Sequence, residues 1–159
     1  MRVLVTGAAG LIGSATLDLL AAEGIAATAL VLEHPGRELP ADRVIVGDAA
    51  DAAVVAGALR DADAVIHLAA IPTPLSDPGE KVFAVNTLAT FTVLDQAGQA
   101  GIRRAAIASS YAICGLPFAA RRLTMPYLPI DTGLPLQIDR KSTRLNSSHS
   151  LPSRMPSSA

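Results

Sequence analysis

The sequence predicts an α/β fold built on a doubly wound parallel sheet, and two observations carry the prediction. Short apolar runs alternate with amphipathic stretches from Met1 to about Gly115, the order expected of strands joined by crossover helices. A glycine-rich turn, with Gly7, Gly10 and Gly13, lies between the first apolar run and the first amphipathic stretch, where such folds enter their first helix.

Each element follows from local pattern. The β-branched-rich run Val3 to Val5 predicts a buried strand. Leu11 to Ala22 predicts a helix with Ile12, Thr16, Leu19 and Leu20 on its packed face, stopped by Gly24. Ala27 to Leu32 and Val44 to Val46 predict the second and third strands. Asp51 to Leu59 predicts a short helix capped by Asp51 itself. Ala64 to Leu68 predicts the fourth strand, followed by a loop with Pro72, Pro74 and Pro78. Val82, Val85, Ala89, Val93 and Ala97 recur at spacings of three and four, which predicts a long helix ending near Gly101. Ala105 to Ala108 predicts the fifth strand.

Composition bounds the function. The 159 residues are 50% hydrophobic and 17% charged, which excludes a disordered chain or a coiled coil. With no Trp, two Tyr and three Phe, the core must be aliphatic. A formal net charge of -1 gives no electrostatic case for nucleic acid or an acidic membrane surface. No apolar stretch is long enough to span a bilayer, and the first residues do not read as a signal peptide. The single cysteine, Cys114, cannot form an internal disulfide, so a reducing cytoplasm is expected. Residues 140–159 differ from the rest, with seven Ser, four Lys or Arg, and no Asp or Glu. The expected organisation is therefore one α/β domain over residues 1–139 and a Ser-rich basic tail over 140–159, disordered on composition.

The turn VTGAAGLIG carries the chemistry. Gly7 allows the tight strand-to-helix turn, Gly10 lets the backbone approach a pyrophosphate, and Gly13 lets the helix pack closely. The N–H groups at the helix start, over Ala9, Gly10, Leu11 and Ile12, then face the phosphates with the positive end of the helix dipole. This is a Rossmann-type dinucleotide cradle, for NAD or NADP. Glu33, 20 residues after Gly13, can hydrogen-bond the adenosine ribose and favour NAD; a solvated loop acid is the alternative. The neighbouring His34 and Arg37 could instead accommodate the 2′-phosphate of NADP. Asp48 in VGD can accept from the adenine amino group or, with Asp51, cap a helix. Leu68, Ala69 and Ala70 end the fourth strand, and the two alanines let a cofactor lie against the backbone. His67 beside them reads as a packed strand histidine. Asn86 is polar on an apolar helix face, and a buried amide needs partners, so it braces nearby backbone unless it is partly exposed. Ser109 and Ser110 follow the fifth strand as polar strand-end residues. No metal-ligating set emerges.

Together these motifs resemble the extended short-chain dehydrogenase/reductases, the NAD-dependent epimerase/dehydratase family. The resemblance rests on TGAAGLIG at Thr6 to Gly13, GD at Gly47 to Asp48, HLAA at His67 to Ala70, Asn86, and ASSYAICG at Ala108 to Gly115, and it runs to about residue 139. It implies hydride transfer between NAD(P) and a hydroxyl-bearing carbon of a sugar, nucleotide sugar or related substrate. It further implies that Ser110 hydrogen-bonds the reacting oxygen, and it allows a homodimer in the parent protein. The family's base is a Tyr followed four residues later by Lys, and no such pair exists here. Tyr111 is followed by Gly115, Tyr127 by Asp131, and Lys141 is preceded by Gln137. Two expectations follow: a truncated chain whose residues 140–159 are not native, or a genuine short dinucleotide-binding regulator or sensor.

Overall fold

Strands and helices alternate along the chain: β1 (Arg2–Thr6), α1 (Leu11–Ala22), β2 (Ala26–Val31), β3 (Arg43–Val46), α2 (Ala52–Ala58), β4 (Ala64–His67), α3 (Gly79–Gln99) and β5 (Ala105–Ile107). The structure, a computed structural model, describes residues 1–73, 77–110, 127–131 and 133–134. The chain divides into two units, Met1–Ala108 and Ser109–Ala159, and all eight elements belong to the first. The five strands form one sheet in the order β3-β2-β1-β4-β5, and every neighbouring pair is parallel. The expected doubly wound α/β fold is therefore present.

The sheet is double-wound because its central strands bury both faces. Val3 and Val5 of β1 pack with Leu17 and Leu20 of α1 and with Ala27, Ala29 and Val31 of β2. Leu4, between them in sequence, points to the other face, where it joins Leu30, Val55, Val65, Ala89 and Val93 under α2 and α3. Alternation along a strand sends successive side chains to opposite faces, so a continuous apolar run serves two layers at once.

The packed face of α1 differs from the expected one. Its buried residues are Gly13, Leu17 and Leu20, whereas Ile12 is 64% and Leu19 62% exposed. The cause lies at Gly13, where a Cβ would collide with the Gly7 carbonyl oxygen and with Ala8. This close approach sets the rotation of the helix, and the row at i, i+4 and i+7 follows from it. β2 ends one residue earlier than expected, leaving Leu32 exposed. Gly24 ends α1 with φ +66°, as expected. Asp51 caps α2, its carboxylate accepting from the amides of Ala53 at 2.8 Å and Val54 at 3.2 Å. Phe83, Phe91 and Leu94 leave an exposed apolar stripe along α3. No helix among the described residues is long and apolar enough to cross a membrane. The expected tail over 140–159, Tyr111 and Cys114 lie outside the described residues.

Candidate functional site

In an open parallel sheet the strands' carboxyl ends leave a crevice where the strand order reverses. Here that point is between β1 and β4, because the chain runs outward to β2 and β3 and then returns across β1. A cleft of about 190 Å³ opens there. Its lining comes from Gly7 after β1, Leu32 after β2, Gly47 to Ala49 after β3, Ala69 to Ile71 after β4, and Val85 and Ala89 of α3. The walls are small and apolar, with Asp48 the carboxylate among them.

The three glycines do different work. Gly7 has φ +64°, a left-handed conformation that favours glycine. A Cβ on it would also stand 2.7 Å from the amide nitrogen of Ala69. Gly7 thus lets the turn press against the end of β4. Gly13 closes the turn on itself, as its contact with Gly7 and Ala8 shows. Gly10 is ordinary in conformation, with φ −71° and ψ 172°, and a Cβ there would meet only the Gly7 carbonyl oxygen, at 3.2 Å. Its chain neighbours aside, no other atom of the described residues comes within 4 Å of that position. Gly10 is the N-cap of α1, yet it gives the helix no side-chain cap, and the first turn holds no acid. The first amides of a helix have no acceptor within it, so this end offers N–H groups and a partial positive charge to an anion.

Ala9, Gly10, Leu11 and Ile12 are all exposed at this helix start, Leu11 by 92%. Ser14, one turn in, donates to the Gly10 carbonyl at 2.6 Å and accepts from Arg37 Nη2 at 2.6 Å. Sequence reasoning saw Arg37 only as a neighbour of Glu33 and missed this link to α1; no local pattern signals a contact across 23 residues. Glu33 is exposed, one residue beyond Leu32, which lines the cleft. Asp48 also lines it, and its Oδ1 accepts from the Ala50 amide at 2.8 Å. That oxygen shapes the turn leading into α2, whose cap is Asp51 alone.

After β4, Leu68 is half-buried, and Ala69 and Ala70 lie in the cleft wall. Asn86, half-buried on α3, accepts from the Ile71 amide at 2.8 Å and donates to the Ile71 carbonyl at 3.2 Å. The expected brace exists, and its object is Ile71, which sequence reasoning did not single out. His67 is 3% exposed and packed as expected, hydrogen-bonded through Nδ1 to Thr6 Oγ1 at 2.7 Å and through Nε2 to Thr90 Oγ1 at 3.0 Å. Among the described residues there is no group of three or more His, Cys, Asp or Glu that could hold a metal ion.

Ser110 belongs to the second unit and is half-buried. In the same unit Tyr127 donates its hydroxyl to Asp131 Oδ1 at 2.7 Å. That hydroxyl and the Gly133 amide hold the Asp131 carboxyl below the usual aspartate range. An anion thus sits four residues after this tyrosine, so Tyr127 lacks the lysine neighbour of the family's base.

Comparison with known proteins agrees with this geometry. Residues 3–132 match the sequence profile of the NAD dependent epimerase/dehydratase family. A 3-diazoavenalumate denitrifying reductase from Streptomyces is 37% identical over 145 residues, covering 87% of this chain and 45% of the relative. A dTDP-glucose 4,6-dehydratase from Mycolicibacterium smegmatis is 35% identical over 115 residues, covering 65% of this chain and 34% of the relative. The crystal structure of a short-chain dehydrogenase/reductase superfamily protein from Agrobacterium tumefaciens with bound NAD superposes with a TM-score of 0.79. It is 27% identical, with 92% of this chain and 42% of that one covered. The chain therefore spans less than half the length of these relatives.

Proposed function

The chain belongs to the NAD dependent epimerase/dehydratase family, and from that premise we propose that its cleft binds a dinucleotide, NAD in preference to NADP. The observation that carries this reading is the space at Gly10. The conformation of Gly10 suits any residue, and its open side faces the uncapped start of α1. The fold asks less of Gly10 than of Gly7 or Gly13, a tight 3.2 Å contact with the Gly7 carbonyl oxygen rather than a collision, and a ligand that comes close to the backbone accounts for the rest. Around it, the amides of Ala9, Leu11, Ile12 and Gly13 would hold the pyrophosphate, that of Gly10 being given to the Gly7 carbonyl at 3.0 Å. Asp48 and Glu33 would bind the adenosine half, and Leu68 to Ala70 would lie along the cofactor, with Asn86 fixing their loop.

When bound, NAD would supply a hydride acceptor or donor. In the parent protein we assign the partner substrate to the class of sugars, nucleotide sugars and related hydroxyl or carbonyl compounds. Ser110 would hydrogen-bond the reacting oxygen there. A cytoplasmic location and a homodimer belong to the same proposal, the first supported by the single cysteine and the second by the apolar stripe Phe83, Phe91 and Leu94.

The residues present favour binding over turnover, because they include no Tyr-x-x-x-Lys pair. A non-catalytic dinucleotide-binding regulator is therefore the second reading for this chain. Calorimetric titration with NAD tests the common ground. Binding by the wild-type chain and its loss in Gly10→Leu, with an unchanged circular dichroism spectrum, is expected. Equal affinity in the two proteins contradicts the assignment.

A further inference from the structure

Three side chains outside the cleft's lining, Thr6, His67 and Thr90, form a directed chain of hydrogen bonds behind it that ends on the main-chain carbonyl of Asn86, and counting protons along that chain gives the state of His67. Thr6 Oγ1 accepts from the amide of Ala69 at 3.1 Å and from that of Leu68 at 3.2 Å, an N–H it shares with the Thr6 main-chain carbonyl at 3.3 Å. A hydroxyl has two acceptor positions and one proton. Both acceptor positions are taken, so the 2.7 Å contact with His67 Nδ1 is one in which Thr6 donates. The ring is then neutral at Nδ1 and carries its proton on Nε2. From Nε2 the ring donates to Thr90 Oγ1 at 3.0 Å, and Thr90 in turn donates to the main-chain carbonyl of Asn86, one turn earlier in α3, at 2.8 Å. The direction found at one end agrees with the direction found at the other.

The chain closes on itself through the loop that walls the cleft. Thr6 holds the loop's first amides, those of Leu68 and Ala69. Asn86 holds its last residue, Ile71, by both N–H and C=O. His67 and Thr90 join these two clamps, and both are buried, at 3% and 5% exposure. Ring hydrogen bonds in such a dry setting are stiff, and networks of this kind specify one arrangement of the groups they touch.

We infer that His67, as the neutral Nε2–H tautomer, and Thr90 are positioning residues for the cleft, coupling the Leu68–Ile71 wall to α3 without lining the cleft themselves. The inference rests on the dinucleotide reading for the identity of the ligand, but the coupling stands on the hydrogen bonds alone. Thr90→Val keeps the shape of the side chain and removes its hydroxyl, and Thr90→Ser restores it. Three measurements on the full chain test this: NAD affinity by calorimetry, amide hydrogen exchange at Ala69 and Ile71, and the ¹⁵N spectrum of the His67 ring. The expected result is a protonated Nε2 in the wild-type spectrum. In Thr90→Val, affinity should fall roughly three- to tenfold, the effect of one hydrogen bond, and both amides should exchange faster. Thr90→Ser should recover both properties. Unchanged exchange in Thr90→Val overturns the coupling, and so does a ring protonated at Nδ1, which needs no variant to detect. Faster exchange with unchanged NAD affinity overturns the positioning role. A wild-type chain that binds neither NAD nor NADP overturns the dinucleotide reading instead, and the exchange rates then judge the coupling by themselves.

Discussion

Single residues carry consequences out of proportion to their size. Thr28 in β2 is fully buried, and its hydroxyl has no hydrogen-bond partner among the described residues. A buried hydroxyl without a partner forfeits its hydration and gains nothing in return. Thr28→Val keeps the β-branched shape and is expected to stabilise the protein by about 1 kcal/mol. In urea unfolding the midpoint should rise with an unchanged slope; a lower midpoint would show that the hydroxyl has a hidden acceptor. Glu33 poses a different question at the same scale. Its exposed carboxylate stands beside the part of the cleft assigned to the adenosine ribose, where it would repel a second phosphate. Against it, Arg37 reaches Ser14 at the start of α1 and brings positive charge to the same end of the site. Arg37 keeps its charge in that hydrogen bond, and the carboxylate of Glu33 is expected to outweigh it. Parallel titrations should show NAD binding more tightly than NADP, and the order should narrow or invert in Glu33→Gln. Tighter binding of NADP to the wild-type chain would assign control to Arg37.

At the scale of elements, α2 is seven residues long and cannot persist on its own propensity. Its start depends on Asp51, which accepts two amides, and its far end is met by Arg43, which donates to the carbonyls of Gly57 at 3.0 Å and Arg60 at 3.2 Å. Asp51→Ala should destabilise the protein by about 1 kcal/mol, with amide exchange at Ala53 and Val54 rising first; retained protection there would contradict the role of the cap. The cap was legible in sequence because Asp51 and the apolar positions behind it are local. The long helix α3 was legible for the same reason, through Val82, Ala89, Val93 and Ala97. The packed face of α1 was not, because its rotation is set by Gly13 meeting Gly7 and Ala8, a contact of backbones that apolar spacing does not encode. In the candidate site the same division holds. Glycine spacing announced the turn, and HLAA announced the wall of the cleft. The partners of Arg37 and Asn86 were invisible, since each reaches a different segment of the chain.

At the scale of the whole molecule, binding and turnover separate. Hydride arriving at a carbonyl leaves charge on its oxygen, and a placed acid must neutralise it, an effect worth roughly 10²- to 10⁴-fold in rate. Ser110 offers a hydrogen bond but is a poor proton donor near neutral pH. Tyr127 has its hydroxyl committed to the anionic Asp131, so its neighbour works against proton loss where a lysine would assist it. The purified chain, incubated with NAD and a panel of sugars and nucleotide sugars, should give no change in nicotinamide absorbance above background. A robust signal that disappears in Ser110→Ala would show that another group supplies the proton.

The unequal packing of the three glycines bears on how this lineage can change. Gly7 and Gly13 are held by the chain's own backbone, one against Ala69 and the other against the Gly7 carbonyl and Ala8. Purifying selection for foldability alone would retain both, even in a descendant that had given up every nucleotide. Gly10 has only a 3.2 Å contact to lose, so drift would reach it first once a ligand ceased to matter. Among diverged copies of this chain, the residue at position 10 is therefore the one that separates a surviving binder from a fold kept for its own sake.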